Sequence, residues 1–544
     1  MFPMPLPSLV HRTVLALGAI VACAGGADAE TTTPATASDL TQIDHVVVIY
    51  QENWSFDGQY GQFPGAEGFA FGRSATQADA KGALYTALPH PLGTDGKFDT
   101  VNFIAWPDNQ PVAFYDLLGK PFTDASDVVS AARVTGELVH AFYTEQWQID
   151  GGRNDRFVAG STNPGLVLSG FDATRFPEGA LAREFTLCDH CFHSAFGGSF
   201  LNHQFLIAGQ APLYGPVANG TAPIPVSDLS GYPATVTMPT SLDAPTIAPT
   251  WTVTAGKANL PLGSLGNLWP PVLSQPLAPP GVTFKGFSEG QLLSTDDARD
   301  PALGKGSYYC VNTMYPPFWP FPTKVVNGST LPRGSFTPPL RSQTIGDLLS
   351  AHQRSWAWYS EGWDDAVAGN PDANFQYHHQ PFNYFANFAP GTPGRQHLQD
   401  FKKLLEDINQ NTIPDVAFVK FLGRNNEHPG YADIIDGQTH VAELVEKIRK
   451  SPAWSHTVII ITYDEHGGRW DHVNPLTYPN ADRWGPGLRV PCIIVSPFAK
   501  RHFVDTTPYE TESILSLIEK RWGLGRIVGA NRDGTADPFS HAFE

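Results

Sequence analysis

The sequence predicts an α/β domain built on a doubly wound, mostly parallel sheet, with one large loop-rich insertion. Three observations carry this. Residues 43–50 (IDHVVVIY), 416–422, 458–463 and 490–495 are continuous apolar, β-branched runs, as strands covered on both faces require. Helical patterns at 396–408, 439–450 and 511–522 separate the later runs, an alternation that favours parallel pairing with helices on both faces. The runs also end in polar residues, where such sheets gather their binding groups.

The elements follow in order along 544 residues. Residues 1–29 read as an export signal. Arg12 supplies weak positive charge, 13–22 is an apolar stretch too short to span a bilayer, and Ala27-Asp28-Ala29 offers the small residues a signal peptidase reads. A periplasmic or secreted protein is expected. Ile20-Val21-Ala22-Cys23 also resembles a lipoprotein box, so lipid anchoring at Cys23 is the competing form of export. Residues 30–544 are then one catalytic domain, in which no segment has the apolar length of a membrane helix. From about 211 to 340, Pro, Gly, Ser and Thr dominate and periodicity fades. This marks the insertion, either a cover over the site or surface decoration.

Charged residues make up only 16% of the chain and aromatics are plentiful, so the loops are expected to be ordered. The formal charge of −18 weighs against a nucleic-acid partner, which needs clustered Lys and Arg. A small phosphate ester responds instead to the local field of a cleft. Beyond the leader stand Cys188, Cys191, Cys310 and Cys492. In an oxidising compartment Cys188 and Cys191 could bridge, one of them could reach Cys310, or the thiols could stay free. Zinc on the Cys188–His193 segment is disfavoured, because ligands packed within six residues do not easily reach a tetrahedron.

Four places carry chemistry-bearing residues. Glu52-Asn53 follows the first strand, where oxygen donors can hold a hard cation or a phosphate; Asn53, Ser55 and Asp57 are equally good helix caps. Asp464-Glu465-His466-Gly467-Gly468 follows the strand at 458–463, and adjacent carboxylates buried there need a cation or partner; Asp471-His472 could support them. Gly197-Gly198-Ser199 can present a hydroxyl and backbone N–H groups at a helix start, or Ser199 can be a plain N-cap. His378-His379 and Glu427-His428 offer groups that bind phosphate or protonate a leaving oxygen, with His140 a weaker candidate.

Together these segments resemble the phosphoesterase family that contains bacterial acid phosphatases and non-haemolytic phospholipases C. The matching stretches are Ile43 through Asp57, Phe196-Gly-Gly-Ser199-x-x-Asn202, Glu427-His428-Pro-Gly-Tyr431 and Thr462 through His472, in order over most of the chain. The resemblance implies an alkaline-phosphatase-like fold. It places Ser199 at the nucleophile position, where the phospholipase branch tends to carry Thr. It implies that Glu52, Asn53, Asp464 and Glu465 surround phosphate and a divalent metal ion of unspecified identity. His378, His379, His428 and His140 match histidines that contact phosphate or transfer protons. Position 54 is Trp where a basic residue is expected, so no phosphate contact is expected from it. The expected function is acid phosphatase action on small phosphate esters through a phosphoserine. Phospholipase C action on phospholipid head groups and a non-catalytic exported binding protein are the alternatives.

Overall fold

The computed structural model describes residues 39–79, 81–93, 95, 97, 99, 110–118, 132–214, 235–237, 252–254, 308–309, 311–312, 316–322, 339–482 and 484–544. The leader, Cys23 and Cys310 lie outside them, as does most of the expected insertion. Two short antiparallel pairs of that region are described, Leu213–Tyr214 with Tyr308–Tyr309 and Thr235–Thr237 with Thr252–Thr254.

The central sheet has eight strands: β1 (His45–Gln51), β2 (Thr186–Cys188), β3 (Trp356–Ser360), β4 (Leu398–Asp400), β5 (Val416–Lys420), β6 (Thr457–Tyr463), β7 (Cys492–Val495) and β8 (Phe503–Asp505). Their spatial order is β4-β3-β5-β1-β6-β7-β2-β8. All run parallel except β7, which is antiparallel to both neighbours. The run at 490–495, read as one more parallel strand, is therefore corrected, and the sheet remains mostly parallel. Val46 to Gln51, and all of β5 and β6, are buried at every position. Since successive side chains point to opposite faces, both faces at the sheet centre are covered.

Helix Ile434–Arg449 packs on Pro177–Glu184, and Thr511–Trp522 packs on Ser199–Ala208. The helix expected from 439 begins at Ile434 because Asp433 caps it, accepting from the Asp436 N–H. The helix expected at 396–408 starts only at Phe401, behind the Asp400 cap; Leu398–Asp400 is instead the edge strand β4. Cys188 and Cys492 face each other in register across β2 and β7, yet these two and Cys191 are free, buried thiols. A Cys188–Cys191 bridge is thus not formed. No described helix is long and apolar enough to cross a membrane.

Strand register at the sheet centre brings the chemistry-bearing segments together. Gln51 of β1 is opposite Tyr463 of β6, and Ile49 of β1 is opposite Val419 of β5. The residues leaving the carboxyl ends of these three strands therefore emerge side by side.

Candidate active site

Parallel pairing of β1 with β6 brings Glu52-Asn53 against Asp464-Glu465. The Asn53 N–H donates to Asp464 Oδ1 at 3.2 Å, from a left-handed backbone at φ 65°. Gly467 permits this approach, since a β-carbon there would stand 2.3 Å from the Asn53 carbonyl oxygen. Downstream, the Ser55 side chain accepts from the Gly58 N–H and caps the next helix. Site and cap therefore coexist in this segment, on different residues.

Ser199 is the first residue of helix Ser199–Ala208. Gly198, not Ser199, occupies the N-cap and offers no side-chain cap, so the serine hydroxyl is not engaged as a cap. It donates to Glu52 Oε2 at 3.3 Å and lies beside the Asp464 carboxylate. Gly197 makes the turn at φ 89°, and a β-carbon on it would meet the Phe142 backbone nitrogen at 2.4 Å. Gly197→Ala is accordingly expected to displace Ser199, lowering kcat at least tenfold and stability by about 2 kcal/mol or more. Turnover and a denaturant melt of the same preparation check this.

Lys420 ends β5 and points back under the site. Its Nζ pairs with Glu52 Oε1, and His379 Nε2 lies 2.9 Å from the same oxygen. Burial alone would push the Glu52 carboxyl up, but His379, Lys420 and His428 together hold it well below the usual range. The opposite balance holds for its neighbours. Burial and the charge of Glu52 push Asp464 up to about 7, and burial with Asp464 pushes Glu465 well above the carboxylate range.

The four expected histidines lie around these groups. His378 and His379 sit in the turn Tyr377–His379, their rings 4.4 Å apart, and His140 and His428 approach to 6.0 Å between rings. His140 Nε2 is 3.4 Å from Asn53 Nδ2 and 3.8 Å from Glu465 Oε1. Burial lowers all four basicities, His379 to about 4. With no phosphate bound, burial therefore works against the imidazolium form expected of them. Trp54 is buried, donates from Nε1 to the Glu427 carbonyl and carries the Arg469 guanidinium 3.9 Å over its ring. Its role is packing, consistent with no phosphate contact there.

Three residues given no role from sequence complete the surroundings. His203, one turn after Ser199, lies 2.7 Å by Nδ1 from the Ser199 carbonyl oxygen and stacks on His379 at 5.2 Å. A carbonyl only accepts, so Nδ1 carries the proton and Nε2 presents its lone pair. Lys420 could have been found by the strand-end rule, as a lone charge closing VAFVK. Glu137, 3.9 Å from His428 Nε2 and 4.0 Å from His140 Nε2, follows no strand and left no signal.

The site fits a hard or borderline cation. Asn53 Oδ1, Asp464 Oδ2, Glu465 Oε1 and His203 Nε2 are all buried without a hydrogen-bond partner, and Glu52, His203 and His379 converge closely enough to share an ion. Carboxylate and amide oxygens with imidazole admit calcium, magnesium, zinc, manganese or iron.

Asp471-His472 anchors Asp57, in the segment that follows Glu52-Asn53. The Asp57 N–H donates to Asp471 Oδ2, Arg489 bridges Asp57 and Asp471, and His472 Nδ1 is 2.7 Å from Asp57 Oδ2. Burial would lower the basicity of His472, but its bond to Asp57 and that residue's charge raise it overall. A raised folded-state value gives stability that is full below the unfolded value and is lost as pH rises through the folded one. His472→Asn should therefore lower Tm more at pH 5.5 than at pH 8.5, by thermal melts at both.

A non-hemolytic phospholipase C of Pseudomonas aeruginosa is 21% identical over 519 residues, covering 89% of this chain and 55% of the relative. Non-specific phospholipase C6 of Arabidopsis thaliana is 33% identical over 165 residues, 25% of this chain and 32% of the relative. The chain thus spans about half or less of the length of these relatives. Among solved structures, a protein in the alkaline phosphatase superfamily from Vibrio parahaemolyticus matches at TM-score 0.24 and 17% identity, over 36% of this chain and 51% of that one. The family model described as Phosphoesterase family matches residues 43–525, a span that holds every group described above, and the chain belongs to that family.

Proposed function

We propose that this phosphoesterase is an exported acid phosphatase that hydrolyses phosphate monoesters through a phosphoserine on Ser199. The carrying observation is the Ser199 hydroxyl, uncapped at a helix N-terminus and donating to Glu52 beside Asp464. The helix start favours incoming phosphate, because its first N–H groups and its dipole both face the anion. Ser199 Oγ then forms the bond to phosphorus in line with departure of the alcohol oxygen, and water afterwards cleaves the Oγ–P bond to release phosphate. A divalent cation held by Glu52, Asn53, Asp464 and Glu465 would supply Lewis acidity toward the hydroxyl and the phosphoryl oxygens.

The histidines supply the leaving-group proton. In the free site burial disfavours the charged forms of His378, His379, His428 and His140, and an arriving phosphate, being anionic, favours them. Because an acid with a lowered pKa holds its proton only at lower pH, kcat/KM is expected to rise as pH falls from 8 toward 5.

Phospholipase C action is the second reading, favoured by the names of both relatives. Serine at position 199, where the phospholipase branch tends to carry Thr, favours the monoesterase. Initial rates with p-nitrophenyl phosphate and with phosphatidylcholine vesicles separate the two. Phosphate release from the monoester with little head-group release supports the proposal; the reverse ranking replaces it. Turnover of neither, with divalent metals supplied, leaves a binding protein.

A further inference from the structure

One fully buried constellation has no task in the chemistry above: Glu145 of helix Phe142–Ile149, His193 just after strand Cys191–Phe192, and His466 just after Glu465. None of the three side chains is exposed to solvent. His193 Nε2 is 3.0 Å from Glu145 Oε1 and 3.2 Å from His466 Nδ1, and His466 Nδ1 is 3.5 Å from Glu145 Oε1. Ligand atoms about 2.0–2.2 Å from a common ion stand at such mutual separations.

The hydrogen bonding leaves a cation to be supplied. His193 Nδ1 lies 2.8 Å from the Ala195 carbonyl oxygen, which only accepts, so that nitrogen carries the proton and Nε2 faces Glu145 with a lone pair. Both Glu145 oxygens act as acceptors, Oε2 from the Gly197 N–H at 2.5 Å and Oε1 from the Leu488 N–H at 3.1 Å. Two acceptors at 3.0 Å repel unless a proton or a metal ion lies between them. A proton on Nε2 serves the carboxylate and leaves His466 Nδ1 at the margin, whereas a metal ion uses all three atoms. The wall there is bare backbone: a β-carbon on Gly487 would stand 2.1 Å from His193 Cε1 and 2.5 Å from Glu145 Oε1.

We propose that Glu145, His193 and His466 hold a structural transition-metal ion, zinc by their two-nitrogen, one-oxygen donor set, at a site separate from the Ser199 cage. Its effect is on the nucleophile loop. Glu145 Oε2 accepts from the Gly197 N–H at 2.5 Å, and His193 heads the segment leading to Ser199, so the ion ties both ends of that segment to one point.

Crystals of the full chain, purified without chelator or nickel resin and supplied with zinc, test this by anomalous scattering on either side of the zinc edge. A peak about 2.0–2.2 Å from His193 Nε2, His466 Nδ1 and Glu145 Oε1 is expected, and it should persist in Asp464→Asn. In solution, His193→Gln and Glu145→Gln should each lose one equivalent of zinc per folded chain by elemental analysis. A wild-type map with no peak there, the three side chains in direct contact, overturns the proposal, as does unchanged zinc content in either folded variant. If neither variant folds, the wild-type map alone decides.

Discussion

Ser199→Ala is expected to abolish turnover of a phosphate monoester to within about 10⁻³ of wild type or less, with circular dichroism and Tm nearly unchanged. The chemical reason is that alanine removes the atom placed to form the bond to phosphorus, whereas phosphate can still meet the helix N-terminus and the histidines. Substrate binding should therefore survive better than kcat. The structural reason for an intact fold is equally local: the hydroxyl caps nothing, and its acceptor, Glu52 Oε2, belongs to a carboxylate that keeps Lys420 and His379. A loss confined to KM would mean that Ser199 binds phosphate without accepting it.

Glu52→Gln is the second large effect, and its contrast with Asp464→Asn is informative. Glu52 is ionised and paired with the buried Lys420, while Ser199 and His379 also rest on it. A neutral amide leaves Lys420 buried and unpaired, so stability should fall by about 3–5 kcal/mol, and kcat by about 10²-fold or more as a carboxylate beside the nucleophile is lost. Asp464 is the reverse case. Burial and the charge of Glu52 push it up to about 7, so the metal-free fold loses stability as pH rises from the ordinary carboxylate range toward that value and keeps the full loss above it. Asp464→Asn should thus match or exceed the wild-type Tm in chelated protein at pH 8.5, while losing comparable activity. Melts of both variants with and without chelator, beside rates, give the comparison.

The sheet centre was legible because β1, β5 and β6 are β-branched and almost wholly buried, so composition alone marked them. Strands β2, β4 and β8 have three residues each, too few for a period to show, and β4 was absorbed into the helix after it. The direction of β7 was not readable either, since a short apolar run such as Cys492–Val495 suits parallel and antiparallel pairing alike. At the site, strand-end position pointed to Glu52-Asn53 and Asp464-Glu465, and register then joined them. What sequence could not give was electrostatics. His378, His379, His428 and His140 lie around the carboxylates, but only their burial reveals that their basicity is lowered. Lys420 was missed for a related reason: a lysine closing an apolar strand reads as a solvated end until its full burial is known.

The most direct test of the central claim is to trap the intermediate. Wild-type protein turning over a ³²P-labelled phosphate monoester at mildly acidic pH would be quenched in acid, digested and mapped by mass spectrometry. Label on the peptide containing Ser199, absent from Ser199→Ala, is the result expected of a phosphoserine mechanism. Steady turnover with no label on that peptide, or with label on a histidine such as His379 or His428, would contradict it.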